Sequence, residues 1–253
     1  MECADQHKVG AVKSQRRFLT AEWRNLLMLN YAVEPSLLER FVPRGTELDT
    51  FEGKTYFSLV GFEFNRSRVC GIQVPFHQSF EEVNLRFYVR RSSKRGVVFI
   101  RELVPRFAVA AVARFAFNEN YSCVPMSHRI EDCADRGEVE AEYAWVAGPD
   151  CCSMRIETEA SSFLPPEGSL SQFITEHYWG YAAQPRNGCL EYEVQHPRWL
   201  VKNAQRAEFS GKVDRLYGAE IAQALAREPD SAFLAEGSPV TVFKGKSIKG
   251  DLR

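Results

Sequence analysis

Polar and apolar residues alternate along residues 82–89 of segment 80–89. The apolar positions are Val83, Leu85, Phe87 and Val89, and the polar positions are Glu82, Asn84, Arg86 and Tyr88. Because strand side chains point to opposite faces in turn, the segment predicts a strand with one apolar and one polar face. Such a polar face is either the solvated side of a half-buried strand or the wall of a ligand site.

Short apolar or alternating runs, separated by turn residues, predict an α+β protein that is mainly antiparallel β. Two hairpins are expected, one around the Glu52-Gly53 turn within 48–64 and one around the polar turn 91–96 within 80–104. The other predicted strands span about 26–33, 122–131, 138–147, 152–160, 189–196, 198–209 and 239–244.

Four helices are predicted beside this sheet. The clearest one follows Ser169, which forms a capping box with Gln172 ahead of a helical pattern that continues through Tyr181. The others are expected at 35–41, 105–117 and 216–227. The second of these is apolar almost all round and is therefore predicted to be buried.

Composition places the chain in the ordinary globular range, with 45% hydrophobic and 26% charged residues. Its 32 basic and 33 acidic residues nearly cancel, so no global field favours nucleic acid or anionic lipid. The N-terminus lacks the apolar core of a signal peptide, and no apolar stretch is long enough to span a bilayer. We expect a disordered tail at 1–17, a single domain at 18–253, a cytoplasmic location, and no nucleic-acid or membrane partner.

Neither a metal nor a cofactor is predicted. The seven cysteines are odd in number and form no Cys-x-x-Cys pair, which indicates reduced thiols. Cys123, His128 and Cys133 match no zinc spacing, and an alternating strand would not bring them together. The Gly-Lys-Thr and Gly-Lys-Ser triplets at 53–55 and 245–247 lack the earlier glycine of a phosphate loop.

The spacing within the polar row of 80–89 suits a small ligand. Strand residues rise about 3.3 Å each, so Glu82 and Arg86 lie roughly 13 Å apart with Asn84 between them. An arginine guanidinium can bind a carboxylate through two parallel hydrogen bonds, and a glutamate can act as acid or base. An amide side chain can both donate and accept hydrogen bonds. We expect a carboxylate-bearing molecule between Arg86 and Glu82, with Tyr88 shaping the wall; a solvated face with cross-strand partners is the alternative.

A series of short motifs in a fixed order carries a family resemblance. The motifs are Leu48-Asp49-x-Phe51-x-Gly53, Glu82-x-Asn84-x-Arg86-x-Tyr88-Val89, Gly96-Val97-Val98-Phe99, Ala113-Arg114, Phe173-Ile174-Thr175-Glu176-His177-Tyr178 and His196-x-x-Trp199. Over roughly residues 20–210 their order and spacing resemble the uncharacterised YqjF-like family, which is grouped with the acetoacetate-decarboxylase-like folds. The resemblance implies a closed or partly closed β-barrel-like sheet with a few flanking helices, in which the polar row would line an interior cavity.

Two departures from the family pattern bear on the ligand. Glu119-Asn120-Tyr121 stands where the family tends to read Leu-Pro-Tyr, so the cavity wall near Tyr121 is expected to differ. Leu200 stands where a proline often follows the tryptophan.

Acetoacetate decarboxylase needs a lysine of depressed pKa, because its chemistry forms a Schiff base with a neutral amine. Lys54 and Lys202 have apolar neighbours in sequence, and Lys54 adjoins a hairpin turn. Lys202 shares strand parity with His196 and would point where His196 points. A surface lysine on an edge strand is the plainer interpretation, so Schiff-base decarboxylation by Lys202 is a hypothesis without further sequence support.

Three other polar residues have two interpretations each. Arg114 lies in an apolar helix, where a lone cation needs either a salt bridge, for instance to Glu82 or Glu176, or a polar cavity with a ligand. His177 is more simply a hydrogen-bonded core residue than a catalytic one. His196 either caps a pocket as a ligand contact or packs against its neighbours.

The sequence thus predicts a protein whose cavity binds a small anionic molecule, with Glu82 as acid or base if a decarboxylase-like lyase reaction takes place there. Two alternatives stay open: a non-catalytic binding protein, and a structural or interaction protein with an internal salt-bridge network. Enzyme status is undecided at this point. A homo-oligomer is conceivable through an exposed edge strand such as 239–244.

Overall fold

The computed structural model describes residues 15–73, 78–133, 135–185 and 188–248, apart from the side chains of 112–115. Within these residues the chain forms fifteen strands and five helices. The strands are β1 (Arg17–Val33), β2 (Glu47–Leu48), β3 (Thr55–Val69), β4 (Ile72–Gln73), β5 (Phe80–Arg91), β6 (Lys94–Val104), β7 (Tyr121–Cys123), β8 (Met126–Cys133), β9 (Glu138–Ala147), β10 (Asp150–Thr158), β11 (Trp179–Gln184), β12 (Gly188–Gln195), β13 (Val201–Ser210), β14 (Ser231–Phe243) and β15 (Lys246–Ile248). The helices are α1 (Pro35–Glu39), α2 (Phe107–Phe117), α3 (Leu170–Thr175), α4 (Asp214–Tyr217) and α5 (Ala219–Leu225).

Seven strands form a ring around the interior of the molecule. They pair in the order β12-β11-β6-β5-β3-β1-β14, and β12 pairs again with β14. The pairings are antiparallel except that of β11 with β6, which is parallel. Because the β11–β6 and β12–β14 contacts extend over only two residue pairs each, the ring is a partly closed barrel.

A second antiparallel sheet covers one side of the ring. It consists of β8, β9, β10 and β13, and β13 joins it to β14. Between the ring and this sheet lies a buried apolar core that includes Tyr143, Trp145, Met154 and Ile156, together with Ile221 from α5. Each such side chain stabilises the fold by roughly 1.5–3 kcal/mol when it leaves water.

The two faces of β5 meet different surroundings, as the alternation predicts. The apolar face packs into the core against the second sheet, with no exposure at Leu85 or Phe87. The polar face points into the ring, where Glu82 and Asn84 are 2% exposed and Arg86 is 8% exposed. The strand prediction is confirmed, and the alternative of a solvated polar face is wrong.

Three helix predictions need correction. The helix after Ser169 ends at Thr175, and Tyr181 lies in β11, because pairing with β12 and β6 outweighs the local helical pattern. The apolar helix α2 lies at the surface, with Phe107 74% exposed, although Val109 and Phe117 of this helix line the cavity. The predicted helix at 216–227 is divided by Gly218, whose φ of 88° is left-handed and incompatible with a continuous helix.

Two strand predictions were also wrong. The first hairpin does not form, because β2 pairs with β5 and only the Phe51–Lys54 bridge closes the turn before β3. Segment 239–244 is not an edge, because β14 pairs with β1 along its length and with β12 near its end. Of the helices in the described residues, none has the length and apolar character needed to cross a membrane.

Candidate functional site

A cavity of about 180 Å³ lies inside the ring. An engineered cavity of about 150 Å³ can hold benzene, so this one has room for a small organic molecule. Most of its wall is apolar, with aromatic rings such as Trp23, Phe62 and Phe99. The polar side chains that reach it include Glu82, Asn84, Arg86, Glu102, Glu119, Tyr121, Thr175, His177, Tyr192 and His196.

Arg86 provides a buried cation that the protein satisfies only in part. Its Nη2 lies 3.4 Å from the Ile174 carbonyl oxygen and 3.8 Å from Met28 Sδ. Its Nε has no hydrogen-bond partner, and no carboxylate of the described residues lies within salt-bridge distance. A buried charge without a counterion is costly, so this end of the cavity is suited to an anion.

His177 lies near this basic end and is uncharged at neutral pH. Its ring packs against that of Tyr88 at an interplanar angle of 31° with centroids 4.6 Å apart, and neither ring nitrogen has a hydrogen-bond partner among the described residues. Its Nε2 is 3.7 Å from Asp49 Oδ2, an oxygen that Arg95 Nε contacts at 2.6 Å. Burial lowers the pKa of His177 to about 4 despite the neighbouring Asp49. The neutral ring can therefore donate or accept one hydrogen bond with a ligand.

Three glutamates form the opposite end of the cavity, which we call the acidic pole and define as Glu82, Glu102 and Glu119. The register of β5 with β6 sets Glu102 opposite Asn84. Asn84 Nδ2 donates to Glu82 Oε1 at 3.0 Å, and the Tyr121 hydroxyl donates to Glu82 Oε2 at 3.3 Å. Two adjacent strands therefore place two carboxyl groups in one buried polar cluster.

Glu119 joins the acidic pole through β12. The Tyr192 hydroxyl donates to Glu119 Oε1 at 2.5 Å. Tyr192 lies over Gly180 of β11, where an added Cβ would come within 2.0 Å of the tyrosine ring. A side chain at Gly180 would displace this ring, so the glycine is needed to bring Tyr192 to the cavity.

Burial disfavours charge on all three carboxyl groups of the acidic pole. It raises the pKa of Glu82 to about 7, although hydrogen bonds from Asn84 and Tyr121 and the charge of Arg86 act in the opposite direction. It raises the pKa of Glu119 to about 8, and it holds the pKa of Glu102 well above the usual range, with the charges of Glu119 and Glu82 adding to the effect. Groups that titrate near pH 7 are suited to general acid–base chemistry.

The cavity brings together most of the predicted site. Its wall includes Glu82, Asn84, Arg86, Tyr121 and His196. Tyr88 is buried beside them without lining the cavity, and its hydroxyl shares a 2.5 Å hydrogen bond with Ser58 Oγ. Arg114 lies on α2, and its side chain falls outside the described residues.

Lys202 does not join the site. Its Nζ donates to the carbonyl oxygens of Gly137 and Ala160, each at 2.6 Å, because β13 belongs to the covering sheet and directs this side chain away from the ring. In the described parts of the chain, the wall of the cavity contains no lysine. A Schiff-base amine is therefore missing from the part of the site that the structure describes.

Sequence reasoning missed Glu102 and Tyr192 and noticed Glu119 only as a departure from the family pattern. A β-bulge between Leu85 and Arg86 explains the first omission, because Arg86 pairs with Phe99 whereas Asn84 pairs with Glu102. Phe99 and Glu102 are three residues apart, so simple alternation assigns them to opposite faces, yet both line the cavity. No group of three or more His, Cys, Asp or Glu side chains within the described residues is arranged to hold a metal ion.

Solved structures with similar folds share little sequence with this chain. The enduracididine biosynthesis enzyme MppR complexed with pyruvate has a TM-score of 0.67 at 12% identity, covering 96% of this chain and 94% of MppR. Acetoacetate decarboxylase from Legionella pneumophila subsp. pneumophila str. Philadelphia 1 also has a TM-score of 0.67, at 11% identity over 100% of both chains. The chain therefore has the acetoacetate-decarboxylase-like fold, as the sequence predicted.

Sequence comparison then gives the family. Residues 20–239 match the DUF2071 family, which is described as an uncharacterized conserved protein. The uncharacterized protein YqjF of Bacillus subtilis (strain 168) is 30% identical over 196 residues, which are 74% of this chain and 76% of YqjF. The chain belongs to this family, and the predicted resemblance is confirmed.

Proposed function

We propose that this protein binds a small carboxylate-bearing molecule in its interior cavity, with Arg86 as the anchor of the carboxylate and Asn84 orienting the ligand. The observation that carries this proposal is the buried guanidinium of Arg86, which has no carboxylate partner among the described residues. A ligand carboxylate would supply the missing counterion through two parallel hydrogen bonds. The pyruvate bound to MppR supports a ligand of this class, because pyruvate is a small carboxylate.

Acid–base chemistry on that ligand is the catalytic form of the proposal. With a pKa of about 7, Glu82 has both protonated and ionised forms available near neutral pH. Protonated Glu82 would donate its proton to the carbonyl oxygen of a bound β-keto acid while the C–C bond to the carboxylate breaks, releasing CO2 and an enol, in a decarboxylase-like lyase reaction that does not use Lys202. Tyr121, which donates to Glu82, would position this carboxyl group.

A non-catalytic binding protein is the second candidate, because the same cavity serves binding and turnover equally. The structural alternative with an internal salt-bridge network has less support. Among the described lining residues, Arg86 forms no ion pair with the acidic pole.

Calorimetric titration with pyruvate, acetoacetate and butanoate tests the anchor. We expect Arg86→Met to weaken binding by about tenfold or more, because a charge-assisted hydrogen bond is lost. Arg206→Met, on the exposed side of β13, is the matched control and should bind as the wild type does. Equal affinity of wild type and Arg86→Met would refute the anchor.

Nuclear magnetic resonance of the same acids over several hours tests turnover. If the protein is an enzyme, one of them is consumed by wild type, and Glu82→Gln retains binding while losing turnover. If the acids bind but are lost no faster with wild type than without protein, the binding-protein candidate replaces the lyase.

Location, domain organisation and oligomeric state complete the proposal. A cytoplasmic location is supported by the free thiols of Cys70, Cys123 and Cys151, which are exposed. We expect residues 18–253 to resist limited proteolysis as one unit, and light scattering to report whether copies associate. Cleavage into two stable fragments would contradict the single domain, and recovery in a membrane fraction would contradict the location.

A further inference from the structure

The acidic pole is not explained by a carboxylate anchor alone. The described residues that line the cavity carry three carboxyl groups and one guanidinium, and both lining histidines have lowered pKa values because they are buried. A purely anionic ligand would find a counterion at Arg86, and at the other end it would meet carboxyl groups whose ionised forms repel it. The ligand that suits the whole cavity therefore needs a different group there.

Two polar oxygens of this end are buried without a hydrogen-bond partner among the described residues. Glu102 is 1% exposed, and its Oε2 has no hydrogen-bond partner among the described residues. Asn84, its cross-strand neighbour, is 2% exposed, and its Oδ1 also has no hydrogen-bond partner among the described residues. Buried polar atoms without partners are costly, and a positively charged ligand group favours the ionised form of Glu102, so these two adjacent oxygens favour a ligand that brings N–H groups.

We propose that the acidic pole binds a positively charged nitrogen of the ligand, so that the ligand is a small zwitterion with its carboxylate on Arg86 and its ammonium or amidinium on Glu102 and Asn84. An ammonium carries three donors and no acceptor, which matches this set of unpartnered oxygens. The inference rests on the proposed function, because it adds a second head group to the same ligand.

The register of the strands limits the length of that ligand. Arg86 and Asn84 are two residues apart on β5, and Glu102 lies across from Asn84. Standard strand geometry then places the Cα atoms of Arg86 and Glu102 roughly 8 Å apart. Because both side chains reach inward, the two head groups of the ligand would be separated by a few carbon atoms, as in ω-amino acids of about three to six carbons.

Binding of a cation at the acidic pole would also release protons. Carboxyl groups with pKa values near 7 and 8 are largely neutral at pH 6, and a nearby positive charge favours their ionised form. The affinity for an amine-bearing ligand should therefore rise between pH 6 and pH 8. The affinity for the same ligand without its amine should not rise in this way.

Isothermal titration calorimetry of the full chain with 4-aminobutanoate, butanoate and butylamine tests the inference at pH 6 and pH 8. We expect 4-aminobutanoate to bind about tenfold tighter than butanoate at pH 8, with proton release measured in two buffers of different ionisation enthalpy. Glu102→Gln should abolish this advantage. Glu208→Gln, on the exposed side of β13, is the control and should keep the advantage.

The outcomes separate this inference from the proposed function. If butanoate binds through Arg86 and the amine adds nothing, the inference is overturned and the carboxylate anchor stands. If butylamine binds as tightly as 4-aminobutanoate and Arg86→Met changes neither, the acidic pole is supported and the anchor fails. If no ω-amino acid of three to six carbons binds, the inference is overturned. The wild-type ligand comparison decides it even where Glu102→Gln fails to fold.

Discussion

The two faces of β5 differ in how completely the protein satisfies its own side chains. On the outer face Val83, Leu85 and Phe87 have no exposed surface and pack against the covering sheet. On the inner face Asn84 Oδ1 and Arg86 Nε are buried without hydrogen-bond partners among the described residues. One face therefore contributes packing energy, whereas the other keeps polar groups that a ligand can satisfy.

The same contrast occurs within the inner face. Tyr88, near one end of the strand, shares a hydrogen bond with Ser58, which in turn donates to Asn30 Oδ1 at 2.6 Å. Asn30 Nδ2 continues the chain to Ser231 Oγ at 3.1 Å. A polar side chain in such a network is structural, so burial and polarity alone do not mark a ligand contact.

The largest effect is expected on the outer face. Phe87→Ala should lower the free energy of unfolding by about 3–5 kcal/mol, because it removes a fully buried ring and leaves a cavity. Urea denaturation measures this loss. Phe107→Ala removes a ring that is 74% exposed and should change stability by no more than about 0.5 kcal/mol. Similar losses in the two variants would break the comparison.

An effect of opposite sign is expected from the inner face. Arg86→Met should raise the free energy of unfolding of the ligand-free protein by about 1–4 kcal/mol, because an apolar side chain replaces a buried charge that has no counterion among the described residues. The same variant should lose carboxylate binding. Thermal unfolding and titration together measure the two changes, with Arg206→Met as the exposed control. A destabilised Arg86→Met would show that the guanidinium is satisfied within the protein.

The acidic pole predicts a dependence of stability on pH. The pKa of Glu82 is raised from 4.5 to about 7, so the folded protein holds a proton that the unfolded chain releases. Its stabilising contribution is complete below pH 4.5 and is lost as the pH rises through 7. His177, with its lowered pKa, acts in the opposite direction, since its contribution is lost as the pH falls from 6.5 to 4.

Comparison of wild type with Glu82→Gln isolates the glutamate from these other groups. Between pH 5 and pH 8 the wild type should lose about 1–3 kcal/mol more stability than the variant, because glutamine does not titrate. Denaturant titrations at three pH values measure the difference. Parallel pH profiles of the two proteins would mean that Glu82 has an ordinary pKa in the fold.

The smallest effect is expected at Tyr88. Tyr88→Phe removes the hydrogen bond to Ser58 and should lower the free energy of unfolding by about 1 kcal/mol. Ligand affinity should not change, because Tyr88 does not line the cavity. Weaker ligand binding by Tyr88→Phe, with stability retained, would mean that Tyr88 contacts the ligand after all.

Features with local causes were predictable from the sequence. Half of the capping box forms as expected, with the Gln172 backbone N–H donating to Ser169 Oγ at 3.2 Å, whereas the Gln172 side chain accepts from the backbone N–H of Gly168 at 2.6 Å and not from that of Ser169. The end of that helix was not predictable, because Tyr181 is drawn into β11 by partners far away in sequence. Alternation placed Arg86 on the polar face of β5 but left open whether that face is buried. The absence of a carboxylate partner among the described residues depends on what the other strands bring to the cavity.

The sequence by itself determined the alternation of β5, the mainly antiparallel class and the family, because each depends on residue order within short segments or along the chain. Only the tertiary structure decided that the ring closes through β12 and β14 and that a bulge turns Glu102 inward beside Asn84. The tertiary structure also brings Glu119 and Tyr192 together, which completes the acidic pole. The physical reason is that register and ring closure are set by the combined pairing energy of strands distant in sequence, which no single segment encodes.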